Sequence, residues 1–257
     1  MRTLRALLAH PRTPGLAENH TLITEQRRRI IAQKPYLNRI YREWYCRLIE
    51  RLPAGEGHVL EIGAGPGFFH SQYPEAIASD VFFCHGINVV LDAQRLPFST
   101  GTLRAIVMTD VMHHIPNVER FLSEACRVLA SGGRVLMIEP WVSTWSRFVY
   151  AMLHSEPFRP DAADWTFPST DPLSSANSAL PWIVFKRDAD RFVRLYPEFE
   201  LAATDPFMPF RYLLSGGVSM RAIAPSWTYG WAKALEEALR PWMDRLAMFA
   251  FIQLNRR

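Results

Sequence analysis

Residues 59–69 read VLEIGAGPGFF: an apolar strand carrying one acid, Glu61, then glycines at 63, 65 and 67, then the start of a helix. A chain with this run must lead a buried strand straight into a turn whose backbone takes positive φ or approaches a ligand closely, because glycine does both without strain. Such strand–turn–helix junctions present backbone N–H groups to nucleotide-bearing molecules. The spacing narrows the choice. Turns that receive a dinucleotide use G-x-G-x-x-G, with the pyrophosphate over the helix N-terminus. Here the third glycine arrives one residue early, at Gly67, and Phe68 follows it.

From residue 56 onward, short β-rich runs alternate with helical ones, the pattern of a parallel sheet with crossover helices. Strands are expected at 58–62, 76–80, 88–91, 104–109 and 134–138. A helix over 117–129 follows from the apolar spacing of Val118, Phe121, Leu122, Ala125 and Val128. It is expected to stop at Ser131-Gly132-Gly133. Each strand runs out into an acid: Glu61, Asp80, Asp92, Asp110 and Glu139. In an open α/β sheet the carboxyl ends of the strands line one crevice, so the five acids are read as a ligand-binding rim. Glu61, inside the motif, suits a cofactor with a cationic amino-acid end better than a pyrophosphate, which turns the reading from NAD towards S-adenosylmethionine.

Taken together, these residues resemble the class I S-adenosylmethionine-dependent methyltransferases, in the branch acting on small molecules and lipids (methyltransferase type 11-like), over about residues 57–140. Glu61, Gly63, Ala64, Gly65 and Gly67 look like that family's first motif, Asp80 like the acid that holds the ribose hydroxyls, and DAQRLPF at 92–98 like the adenine loop. There Asp92 would contact the amino group and the next backbone amide, that of Ala93, the ring. DVMHHI at 110–115 and LASGGRVLMIEP at 129–140 resemble the segments that follow. Five such matches in order are specific where any one is ordinary. The resemblance implies a Rossmann-like seven-stranded, mostly parallel sheet with helices on both faces, N-terminal helices and a C-terminal lid insertion. It also implies S-adenosyl-L-methionine as cofactor, with contacts to it from the residues just named and from Asp110; no metal is expected, because the sequence shows no H-E-x-x-H or other metal-ligand spacing. One departure stands out. The family places a helix between the second and third strands, and VFFCHGINVVL at 81–91 leaves room for almost none. Either the crossover is reduced to a loop, leaving Phe82, Phe83 or Ile87 to cover the adenine, or the third strand is displaced by a few residues.

The 257 residues suit one α/β domain with additions. These are a helical extension over 1–55, a cofactor-binding core over 56–140, and lid and substrate insertions with the last helices and strands over 141–257. No uncharged run reaches the roughly 20 residues a membrane span needs. The N-terminal apolar patch is too short for a signal peptide, so the chain is read as cytoplasmic, and the sequon at Asn19 then carries no consequence. Cys46, Cys84 and Cys126 form no C-x-x-C pair and are expected as buried thiols. The net charge of +4 is uneven: residues 1–52 hold 11 Lys/Arg against 4 Asp/Glu. Arg27, Arg28 and Arg29 sit in a basic, aromatic-rich helical pair that could touch an anionic membrane or hold an acidic substrate. Packing on the sheet edge with solvated arginines is the simpler reading and is favoured.

For catalysis, His113 and His114 follow the fourth strand, and a histidine can deprotonate a hydroxyl or amine near neutrality. Glu139 is a second base candidate, while Tyr150, His154 and Glu156 lie in the segment expected to act as a lid. The aromatic, proline-rich stretch 141–185 shows little periodicity and reads as that lid. After it, a helix near 187–196, a strand at 199–204, a helix at 227–244 kinked at Pro241 and a strand at 247–254 complete the sheet. The Trp, Phe and Met beyond residue 140 point to an apolar or amphipathic acceptor, small or lipid-linked and methylated at oxygen. Two alternatives are weighed against this. A nucleic-acid methyltransferase is disfavoured because Asp110 is followed by Val111-Met112 rather than Pro-Pro and an aromatic. A methyltransferase-like binding protein without activity is disfavoured by the intact motifs.

Overall fold

The computed structural model describes residues 20–65, 67–153, 156–169 and 175–257. The basic N-terminus, Asn19 and His154 lie outside these residues. Seven strands form one sheet in the order β3-β2-β1-β4-β5-β7-β6. They are β1 His58–Ile62, β2 Ile77–Asp80, β3 Val89–Val90, β4 Leu103–Thr109, β5 Leu129–Pro140, β6 Phe199–Phe207 and β7 Phe249–Arg256. Pairings from β3 to β5 are parallel; β7 runs antiparallel to both β5 and β6. β3 is only two residues long, and β6 carries an irregularity between Leu201 and Ala203 and a proline at 206.

Alternation along the central strands decides what covers each face. On one side Ala105, Val107, Leu136 and Ile138 meet the helix α2, Pro35–Ile49. Its Leu37, Ile40, Tyr41, Trp44 and Leu48 repeat at helical spacing and are buried, each adding about 1.5–3 kcal/mol of burial. On the other side Ile106, Met108, Val135 and Met137 meet α4, Val118–Val128, and the helical run after residue 180. The N-terminal helices, α1 (His20–Gln33) and α2, therefore cover a sheet face rather than an edge. Arg28 and Arg29 are exposed as expected, but Arg27 is partly buried.

Asn117 caps α4 by accepting from the Arg120 N–H at 2.9 Å. The helix ends at Val128, and Leu129 is already extended, so the glycines do not stop it. Gly132, at φ +79°, instead shapes an outward loop inside β5 before the ladder with β4 resumes at Arg134. Between β2 and β3 there is indeed no helix. The N-terminal turn of α1 takes up part of that space: the Thr21 hydroxyl donates to the Phe83 carbonyl at 2.7 Å, and the His20 ring lies 5.0 Å from that of Phe82.

The described part of the segment 141–185 is more ordered than its sequence suggests. It contains α5, Thr144–Leu153, and a run from Leu180–Trp182 into the wider turns of Ile183–Arg187, ahead of α6, Ala189–Leu195. Trp141, Trp165, Ile183 and Phe185 are buried against the sheet, and the Trp165 indole donates to Asp188 at 2.9 Å. The short helix α7, Arg211–Ser215, follows β6, and the C-terminal helix breaks at Pro241, leaving α8 at Tyr229–Ala238. Cys84 is buried and Cys126 partly so; Cys46, contrary to expectation, is exposed. Among the described residues no helix is long and apolar enough to cross a membrane.

Candidate functional site

The glycine turn takes the conformations its composition demands: φ is +70° at Gly63, +44° at Gly65 and +73° at Gly67. Gly63 is also fixed by a neighbour, since a Cβ there would stand 2.4 Å from Val111 Cγ2 in the turn after β4. Gly67 works differently, as the left-handed residue entering α3, Phe68–Gln72. Around the turn lies a cavity of about 420 Å³, within the range of small-molecule sites. Glu61, Gly63, Ala64, Gly65, Asp80, Asp92, Ala93, Asp110 and His114 line it, so all but Gly67 of the expected cofactor residues meet there. Phe82 lines it too, whereas Phe83 is exposed to solvent.

The carboxylates are held in distinct ways. Asp80 accepts from the Gly65 N–H at 2.9 Å and from the Val81 N–H at 2.7 Å, which ties the glycine turn to the end of β2. Burial still raises its pKa. Asp92 is fixed by its own turn, accepting from the Gln94 N–H at 2.8 Å. Glu61 is buried, its Oε2 has no hydrogen-bond partner among the described residues, and desolvation, then the charge of Asp80, pushes its pKa well up. A buried carboxylate oxygen with nothing to accept from is costly unless a cation or donor arrives. An ammonium group in the cavity supplies one, and this orphaned oxygen is where the residues fit an amino-acid-bearing cofactor.

Beyond Thr109 the chain turns sharply. Asp110 has φ +62°, a left-handed conformation that Asp tolerates better than most residues, and its N–H donates to Ile138 at 2.8 Å. Burial raises its carboxyl pKa to about 6, against a smaller lowering from His113. Val111 N–H and Met112 N–H then donate to one oxygen of Glu139, at 2.9 and 2.8 Å. His113 Nδ1 donates to the other at 2.8 Å. Glu139 is thus fully buried, with both oxygens engaged beneath the turn Met112–His114. Neither it nor His113 lines the cavity. Expected as base candidates, they lie beneath the turn, outside the cavity lining. Burial alone would lower the His113 pKa, but hydrogen bonds to Glu139 and Glu156 raise it well above the usual value. His113 is an imidazolium clasped between carboxylates.

His114 does line the cavity. Its Nδ1 lies 3.2 Å from the Ser175 carbonyl, and burial, reinforced by the charge of His113, lowers its pKa to about 3. It is a neutral ring whose Nε2 accepts. His113, His114 and Glu156 bring three donor atoms within 4.8 Å of one another, a set that could hold a divalent ion. His113 Nε2 pairs with one oxygen of Glu156 at 3.5 Å, while His114 Nε2 lies 3.9 Å from the other.

Sequence reasoning missed the roof of the cavity. Thr24, Arg27 and Ile31 from α1, and Tyr41 and Tyr45 from α2, all line it. Their spacings of three and four residues put each set on one helix face, a pattern that packing on the sheet explains equally well from sequence alone. Tyr150 is buried on the sheet, where its ring stacks on Phe158.

A sheet with this strand order, a glycine turn after β1 and acids at the strand ends defines a Rossmann-like nucleotide-cofactor enzyme. Residues 36–203 match the family model described as a methyltransferase domain, and the chain belongs to that family, whose cofactor is S-adenosylmethionine. It is similar to the ubiquinone/menaquinone biosynthesis C-methyltransferase of Desulfotalea psychrophila, 29% identical over 33% of this chain and 42% of that protein. The chain thus spans under half the length of that curated relative. Among solved structures, it resembles geranyl diphosphate C-methyltransferase from Streptomyces coelicolor A3(2) in complex with Mg2+, geranyl diphosphate and S-adenosyl-L-homocysteine. That likeness has a TM-score of 0.52 and 15% identity, and covers 98% of this chain and 86% of that one. A geranyl diphosphate methyltransferase in complex with SAM gives a TM-score of 0.50 at 16% identity, over 95% and 93%. At these identities the structures speak for the fold.

Proposed function

We propose that this enzyme transfers the sulfonium methyl of S-adenosylmethionine to the oxygen of a small or lipid-linked apolar acceptor, with Asp110 as the base and His114 beside it. The observation that carries the reading is the division of one cavity. Its strand-end wall is carboxylates and a glycine turn, while its helical roof offers Ile31, Tyr41 and Tyr45 beside Ile115 and Val218. The polar wall suits the cofactor: Glu61 for the ammonium group, Asp80 for the ribose hydroxyls, Asp92 and the Ala93 amide for the adenine. Arg27 is a cation on the roof suited to a carboxylate.

When bound, the cofactor supplies an activated methyl group open to in-line attack. The chain's own part is to hold the acceptor in line, exclude water and take one proton. Asp110 fits the last task. It lines the cavity, is held by a strained turn, and titrates near pH 6, so it is ionised at neutrality yet basic enough to accept a proton. His114, neutral with Nδ1 committed to Ser175, can accept a hydrogen bond from the same hydroxyl.

Attack by carbon is a second reading, favoured by the names of the two relatives, both C-methyltransferases. Isotope-labelled cofactor incubated with extract, followed by NMR of the labelled product, separates the two: an O-CH3 resonance supports oxygen and a C-CH3 resonance replaces it with carbon. Calorimetry with S-adenosylmethionine tests the site itself. Binding that survives both Gly65→Arg and Asp92→Ala sinks the assignment of the polar wall.

A further inference from the structure

A surface helix normally turns its apolar stripe inward. α8 does the reverse. Trp227 just before it, then Trp231, Ala234, Leu235 and Ala238, follow helical spacing on the solvent side, with Trp227 75% and Trp231 78% exposed. Ile223 and Trp242 extend the patch at either end and are also exposed. The inward face carries the polar groups and is locked. Arg211 donates to the buried carboxylate of Glu236 and, at 2.8 Å, to the hydroxyl of Tyr229, whose ring meets that of Tyr36 on α2 at 4.9 Å. The helix therefore cannot roll to hide its tryptophans without breaking a buried ion pair.

We infer that this stripe docks the enzyme on an anionic lipid surface. Three of its large side chains are tryptophans, whose apolar rings and N–H groups sit well at the level of lipid headgroups. Cations surround it. Arg39, which lies over the Tyr229 ring, Lys233 and Arg240 are exposed beside the stripe, and Arg221 and Arg245 stand near its ends. Against these stand the exposed Glu237 and Asp244 and the half-buried Glu43 and Asp205, with which Arg39, Lys233 and Arg240 are paired; with Arg42, Arg47 and Glu50 of the adjoining groove the face carries seven cations against five acids. Such a cationic rim complements an anionic leaflet. The patch is joined to the cavity through the chain. Val218 lines the cavity, and the chain runs from it to Ile223 and Trp227; α2, which seats Tyr229, supplies Tyr41 and Tyr45 to the cavity roof. Docking there would bring the enzyme to a membrane-dissolved acceptor. The inference deepens the reading of an apolar acceptor and rests on it for that purpose alone.

The test is co-sedimentation with phosphatidylcholine vesicles with and without phosphatidylglycerol, in the absence of cofactor and acceptor, so that docking and acceptor chemistry can fail separately. The full chain should partition to the anionic vesicles about tenfold or more better than to neutral ones. A variant with Trp227→Ala, Trp231→Ala and Trp242→Ala should lose most of that binding. Its circular dichroism and its affinity for S-adenosylmethionine should not change, since all three side chains are exposed. Absence of vesicle binding by the native chain, or equal binding by the variant, overturns the inference. So does a native dimer, seen by light scattering without lipid, that the variant converts to monomer, which would make a second copy the occupant.

Discussion

The two walls of the cavity are built by different means. The strand-end wall is made of backbone and short acids at fixed offsets from β1, β2 and β4, and small changes there meet hard geometry: Val111 against Gly63, Asp80 against the Gly65 N–H. The helical roof is made of large side chains on α1 and α2 whose identities the backbone does not dictate. Under the proposed function, the contrast assigns cofactor recognition to the sheet and acceptor recognition to what has been laid over it.

The largest effect should come from breaking the sheet-built wall. Gly65→Arg places a long side chain on a backbone at φ +44° and should weaken S-adenosylmethionine binding about a thousandfold or more by calorimetry. Next, Asp110→Asn should lower kcat about 10²- to 10⁴-fold while cofactor affinity stays within about threefold, separating chemistry from binding. The native enzyme's kcat/KM should rise as pH climbs through about 6, where the Asp110 carboxyl gives up its proton, and then level off. Because burial raises this pKa, the folded state favours the protonated form, and Asp110→Asn should hold or raise the Tm at neutral pH. A Tm that falls with the activity would make Asp110 structural instead.

Glu139→Ala should cost about 3–5 kcal/mol of unfolding free energy in urea, because it strands a buried imidazolium and two N–H groups. A loss of activity without loss of stability would return Glu139 to the list of bases. The smallest effect belongs to the roof. Tyr45→Phe should move the acceptor KM by about threefold or less with cofactor affinity unchanged; a larger change in cofactor affinity would erase the distinction between the walls.

What could be read from the chain follows the same division. The strands from β1 to β5 and their acids were legible because a parallel sheet forces apolar runs and the crevice forces polar ends. The missing helix after Asp80 was legible by simple length. The surroundings of Glu139 were not. Its place at a strand end matches that of Asp110, and only the turn Val111–His114 folding back over it distinguishes a saturated anchor from a free carboxylate. The segment 141–185 misled for another reason: prolines and aromatics obscure the helical period of a stretch whose order comes from packing Trp165 and Phe185 on the sheet.

The two outer strands have a consequence for behaviour in concentrated solution. An open sheet offers unpaired N–H and C=O groups that can template another chain and seed aggregation. Here β3 offers two residues, too few to recruit a partner strand. β6 is longer, but its ladder is bent between Leu201 and Ala203 and loses a donor at Pro206, beside an Asp205 paired with Arg47. The enzyme can thus expose tryptophans on one flank without also growing by its edges, and replacing Pro206 with Val is the change that would put this insulation at risk.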